Sequence, residues 1–184
     1  MATAVSTSQT CRNFINGRWV ESSATKSSER RNPANLDEII GFAPLSTREE
    51  TREAIAAARA AFPAWRDTPA PVRSRVLAKA AMLMEQQKDE IARLMTREEG
   101  KALKDALGEA QKSINILEFM AGEGRRLGGE TLPSELPKNF AYTLKQPLGV
   151  LQATCPMNQP ILAFHIRRPV ARGTLDGLEV GEGS

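Results

Sequence analysis

Asn158, Cys155 and His165, near the end of this chain, are the residues whose types could do covalent or polar chemistry. Asn158 is the most informative of them. It stands in Pro156-Met157-Asn158-Gln159-Pro160, directly after the apolar run 150–154. An apolar strand that stops at a proline-braced turn holds its Asn at a strand tip, where α/β proteins meet their ligands. A fixed amide there can donate to an oxygen that becomes negative during reaction. The same five residues also make an ordinary turn, because Asn and Pro favour turns for purely local reasons. On residue types alone the two readings stand level.

A thiol nucleophile needs its pKa lowered by a nearby cation, a base or a helix N-terminus. Cys155 lies beside Pro156 at the strand tip, and His165, the single histidine, is ten residues further along. That separation gives no reason to pair them, so a Cys155–His165 dyad is disfavoured. Cys11 sits in an N-terminal stretch rich in Ser, Thr and Ala and is a weaker candidate still. Two distant cysteines and one histidine make no recognisable ligand set, and no metal is expected. Unpaired thiols without a secretory signal point to a reducing, cytoplasmic setting.

The elements that must position these residues come from 184 residues, one domain's worth of chain. With 41% hydrophobic and 26% charged residues the composition is that of a globular protein. The net charge of +3 is spread over interleaved Arg, Lys and Glu, and aromatic content is 5%, which argues against a nucleic-acid partner. No apolar run approaches the ~20 residues that span a bilayer, so no membrane association is expected.

Phe14-Ile15-Asn16-Gly17-Arg18-Trp19-Val20 predicts a hairpin turning at Asn-Gly. Segment 22–35 reads as polar loop and 38–43 as a short strand. Ser46 with Glu49, and Thr47 with Glu50, form overlapping capping-box patterns that start a helix expected to end at Pro63. A second helix is expected from 69–72 toward Gln87, and a third over 88–99, stopped by Gly100. Segment 101–127 predicts the longest helix, closed by Gly128-Gly129. Its stripe of Leu103, Leu107, Ala110, Ile114, Leu117 and Ala121 marks a core-facing side rather than a coiled-coil seam. Trp19 and Trp65 read as packing residues. Beyond Thr131 the chain is held extended by Pro133 and Pro137, with strands expected over 141–146 and 150–154.

Taken in order, these pieces resemble the aldehyde dehydrogenase superfamily. Carrying the resemblance are Phe14-Ile15-Asn16-Gly17-Arg18-Trp19, Asn32-Pro33-Ala34 with 39–43, and Phe62-Pro63-Ala64-Trp65. Segment 73–77, Leu94-Met95-Thr96-Arg97-Glu98-Glu99-Gly100-Lys101, and Lys145-Gln146-Pro147-Leu148-Gly149-Val150 leading to 156–160 continue it. It covers residues 13–161, and its flavour is that of members oxidising semialdehydes. In that family a cysteine thiolate attacks the aldehyde, hydride passes to NAD or NADP, and water releases the acid. The resemblance assigns to Asn158 the amide that holds the oxyanion, and to Thr154, Cys155, Pro156 and Met157 the approach to the nicotinamide. Met157 stands where relatives usually carry Trp, and Gln159 where they carry Phe. Arg167 takes the place of a helix lysine.

The implied fold is α/β: the N-terminal part of an aldehyde dehydrogenase-like Rossmann-type domain, mostly helical, with a small β-hairpin, an extended β arm and an incomplete central parallel sheet. Residues 1–12 would be a flexible tail, 13–130 the hairpin and helical layer, and 131–148 an arm that joins subunits. Residues 149–168 would begin the dinucleotide-binding sheet, and 169–184 form a divergent Gly-rich tail. The family's glycine-rich cofactor turn, general-base Glu and nucleophilic Cys are expected elsewhere than in these residues. The chain is therefore expected to be an N-terminal portion, inactive alone, of low stability or rearranged into a helical bundle. Its expected partners are an aldehyde substrate in the intact enzyme and a second copy or full-length relatives. The alternative is a noncatalytic helical module that pairs with those relatives.

Overall fold

The computed structural model describes residues 9–153. In chain order these form β1 (Gln9–Thr10), β2 (Asn13–Ile15), β3 (Arg18–Val20), β4 (Ser27–Asn32) and β5 (Asn35–Pro44). Four helices follow, α1 (Arg48–Asp67), α2 (Ala70–Gln86), α3 (Lys88–Glu99) and α4 (Leu103–Glu123), and then β6 (Thr131–Leu132) and β7 (Ala141–Tyr142).

The β2–β3 hairpin turns at Asn16 and Gly17, both with positive φ (52° and 72°), as the Asn-Gly pair predicts. Trp19 packs on Phe14 with ring centroids 4.9 Å apart, yet stays 59% exposed. The expected loop over 22–35 is instead largely strand: β4 pairs antiparallel with β5, and Asn32 faces Asn35 across a tight turn. Pro33 presets the first turn residue, and the Asn32 side-chain oxygen accepts from the Ala34 amide at 2.9 Å. Ser28 and Arg30 are the half-buried positions of β4, so its alternation is carried by polar side chains that conceal a strand from apolar counting. Gln9 and Thr10, expected within the flexible tail, pair parallel with Gly41 and Phe42 of β5, and the Cys11 amide bonds the Phe42 carbonyl at 2.8 Å.

Helix α1 starts as predicted. Thr47 caps it, with its hydroxyl accepting from the Glu50 amide and the Glu50 carboxylate accepting from the Thr47 amide. It does not stop at Pro63 but runs on to Asp67. A proline inside a helix forfeits one backbone bond, about 3 kcal/mol. The last turn is held nonetheless by Trp65, packed on the core, and by Arg73, whose guanidinium donates to the carbonyls of Thr68, Arg66 and Trp65. Gly100 ends α3 in the left-handed conformation at φ 74°, as predicted.

Helix α4 closes at Glu123, short of the expected Gly128-Gly129. The deciding glycine is Gly124. A Cβ there would lie 1.7 Å from Ser74 Oγ and 2.6 Å from the Ala70 carbonyl, so only glycine lets the end of α4 meet the start of α2.

The core follows the predicted stripe of α4 from Ala110 to Leu117, while Leu103 at its start is exposed and Ala106, off the stripe, is buried. Ile114 and Leu117 pack with Leu77 and Ala81 of α2, joined by Trp65, Met84 and Met120. Further toward the start of α4, Ala106 packs with Ala92 and Met95 of α3. Alanines at these seams bring the helix backbones close, and each fully buried Ile or Leu contributes about 1.5–3 kcal/mol.

After α4 the character reverses. Residues 131–140 are all exposed, and β6 and β7 form a two-stranded ribbon. The strand expected over 141–146 is only two residues long, and none forms over 150–153. A strand needs at least one partner to form a ladder, and among the described residues nothing pairs with that segment.

Candidate functional site

Thr154, Cys155, Pro156, Met157 and Asn158 lie outside the described residues, as do His165 and Arg167. What is seen is the approach to them. Pro147, Gly149, Val150, Leu151 and Ala153 are half-buried, and Gly149 turns the chain at φ 118°, a conformation that L side chains avoid.

Within the described residues the strongest polar constellation joins α3 to α4. Lys101 Nζ lies 2.6 Å from Glu99 Oε2 and 2.5 Å from Glu109 Oε2. Burial works against the Lys101 ammonium, but the hydrogen bonds to Glu109 and Glu99 outweigh it and hold its pKa above the usual lysine range. A lysine so held stays charged and cannot serve as nucleophile or base, so the group fastens the α3–α4 corner. A second link joins the sheet to α3. Glu38 accepts from Asn32 at 2.7 Å and from Arg97 at 2.7 Å, and these bonds, Asn32's first, lower its pKa. Burial of Arg73 lowers the pKa of its guanidinium while its donors close the last turn of α1.

Motif reading did not single out the carboxylate pair around Lys101. The available signal was Glu109 beside the buried Ala110 and Glu99 one turn after the buried Met95, where a solvated charge is out of place.

Among the described residues no cluster of His, Cys, Asp and Glu could hold a metal ion, and no helix is long and apolar enough to cross a membrane. Two surface hollows lie on the helical layer. One is lined by Glu85, Asp89 and Glu90 against Lys88 alone, and the other carries Glu85 and Glu118 over an alanine floor. A pyrophosphate wants amide donors and positive charge, so neither hollow fits it.

The fold, not a finished pocket, is what connects this chain to known proteins. The model of the aldehyde dehydrogenase family matches residues 19–171, most of the sequence. The chain belongs to the aldehyde dehydrogenase family. It is 40% identical over 154 residues to malonate-semialdehyde dehydrogenase 1 of Geobacillus thermodenitrificans, covering 84% of this chain and 32% of that protein. It is 41% identical over 149 residues to the alpha-ketoglutaric semialdehyde dehydrogenase of Bacillus subtilis, covering 81% and 30%. Among solved structures, an NADP-dependent enzyme of E. coli superposes with TM-score 0.82 at 36% identity, over 89% of this chain and 34% of that one. A betaine aldehyde dehydrogenase of Staphylococcus aureus in complex with NAD+ gives TM-score 0.83 at 30% identity, over 89% and 33%.

The chain thus spans about a third of the length of the relatives it matches. The α/β expectation holds as a partial aldehyde dehydrogenase fold, largely helical, with small strand pairs and no closed sheet among the described residues. The helices keep the family arrangement and do not regroup into a new bundle.

Proposed function

We propose that these residues are the N-terminal portion of an NAD- or NADP-dependent semialdehyde dehydrogenase that oxidises an aldehyde to a carboxylic acid. The observation that carries this reading is the collinear family match over 19–171, with 40% identity to a malonate-semialdehyde dehydrogenase. The matched segment contains Asn158. Its amide donates to the oxygen of the attacked aldehyde, and Thr154, Cys155, Pro156 and Met157 line the approach to the cofactor. Residues 149–168 begin the dinucleotide-binding sheet. Activity belongs to the whole family chain, and these 184 residues alone do not turn over aldehyde. The setting is cytoplasmic, in keeping with the free, exposed Cys11.

The test is a chimera in which this chain's residues 1–171 replace the matching segment of the Bacillus subtilis enzyme. It should form NADH or NADPH from a semialdehyde. Asn158→Ala in that chimera should lower kcat by about 10²–10³-fold, the usual cost of one oxyanion donor. A chimera whose kcat ignores Asn158→Ala removes Asn158 from the site. Turnover by the unextended chain, abolished by a thiol reagent, would show that it needs no other segment.

The ribbon over 131–148 favours a second reading, a noncatalytic role in assembly. Phe140 is 76% exposed, and Leu132, Leu136, Tyr142, Leu144 and Leu148 are exposed around it. Apolar side chains beside open strand edges make a template for another chain, either a second copy or a full-length relative. Co-purification with such a relative tests this role, and a clean monomer beside an excess of that relative contradicts it.

A further inference from the structure

We propose that Glu50 is a latch that fastens the β2–β3 hairpin to the first turn of α1, so that the hairpin docks and releases through one carboxylate. The two oxygens of Glu50 divide the task. Oε2 accepts from the Thr47 amide at 2.7 Å, which caps the helix, and from Ser22 Oγ at 2.9 Å. Oε1 accepts from the Ser23 amide at 2.6 Å and from Ser23 Oγ at 3.2 Å. An ordinary capping box uses only the bond to the N-cap amide. Here three of four bonds reach a different segment, the strand exit just beyond β3.

The other strand of the hairpin reaches the same place. Asn13, at the start of β2, exchanges hydrogen bonds with Ser46 Oγ at 2.9 and 3.2 Å. Because Asn13 pairs with Val20, both attachments lie at the open end of the hairpin. Trp19 and Val20, by contrast, are exposed, and Phe14 and Ile15 are only half-buried, so apolar burial alone does not seat the hairpin. A two-stranded hairpin is marginal alone, and its order therefore depends on these polar links.

Hydrogen exchange on the full 184-residue chain tests the latch. Glu50→Gln leaves the side chain its length but removes one acceptor oxygen and the charge. It should speed exchange over 13–25 at least ~10-fold, with α2 and α4 unchanged. Thr47→Ala removes the cap hydroxyl but not the latch. It should fray the start of α1 and leave 13–25 within ~2-fold of the parent. The paired change Ser22→Ala with Ser23→Ala removes the two hydroxyl bonds on the hairpin side, keeps the Ser23 amide bond, leaves the helix untouched, and covers the case where Glu50→Gln loosens the whole chain. Unchanged exchange over 13–25 in the serine variant, or equal acceleration in Thr47→Ala, overturns the proposal.

Discussion

The helical layer and the ribbon that follows it are opposites in how they hold their shape. Across α2, α3 and α4, Leu77, Ala81, Ala92, Met95, Ala106, Ala110, Ile114 and Leu117 are all buried. Over 131–140 no residue is even half-buried, and the strands there are two residues each. Both segments carry large apolar side chains, so composition does not separate them. In the helices many of those side chains meet one another across the α2–α4 and α3–α4 seams. In the ribbon they meet water. The helices share a buried core, although Val76, Met82, Leu94 and Phe119 stay exposed on them, whereas 131–140 has none.

That contrast can be broken at several points. The largest effect is expected from Ile114→Ala, at a side chain 2% exposed in the α2–α4 seam, which should cost about 2–5 kcal/mol in a denaturant melt. A loss under about 1 kcal/mol would mean that the helical layer is loosely packed. Next comes Gly124→Ala, whose new methyl would strike Ser74 Oγ and the Ala70 carbonyl. Overpacking of this kind costs about 1–3 kcal/mol, and the same melt reads it.

Acid should act on the joint between sheet and helix before it reaches the helical core. Hydrogen bonds from the amides of Thr47 and then Ser23 draw the Glu50 pKa down to about 2 from an ordinary 4.5. A depressed folded pKa means that the stabilisation is complete above 4.5 and is lost as pH falls toward 2. Protection factors over 13–25, referred to the intrinsic exchange rate at each pH, should fall from neutral pH into that window, and Glu50→Gln should flatten the response. The smallest effect is expected from Phe140→Ala, within about 0.5 kcal/mol on the melt of the isolated chain. If the ribbon pairs with another chain, the same change should weaken that association in sedimentation, which sharpens the distinction between the two regions.

Much of the helical layer was legible because its signals are local. Asn16-Gly17, Thr47 with Glu50, Gly100, and the spacing from Ala110 to Leu117 each specify structure within a few residues, and each holds. The misreadings share a different origin. Strand β4 alternates through Ser28 and Arg30, whose partial burial comes from the facing strand and not from their own polarity. Pro63 fails to stop α1 because Arg73 and Trp65, distant or downstream, hold the following turn. Gly124, which the local pattern did not single out, has no room for a side chain because of what α2 places beside it, and α4 closes before Gly128. Asn158 was legible only by likeness to a family, and it lies outside the described residues. Of its expected strand, 150–153 pairs with no strand among the described residues.

Helix α4 is shared property. Through Ile114 and Leu117 it belongs to one apolar cluster, and through Ala106 to the other. A rod common to both nests makes their fates inseparable: neither α2 nor α3 can slide along it without disturbing the register of the other. The three helices therefore hold together as a single plate.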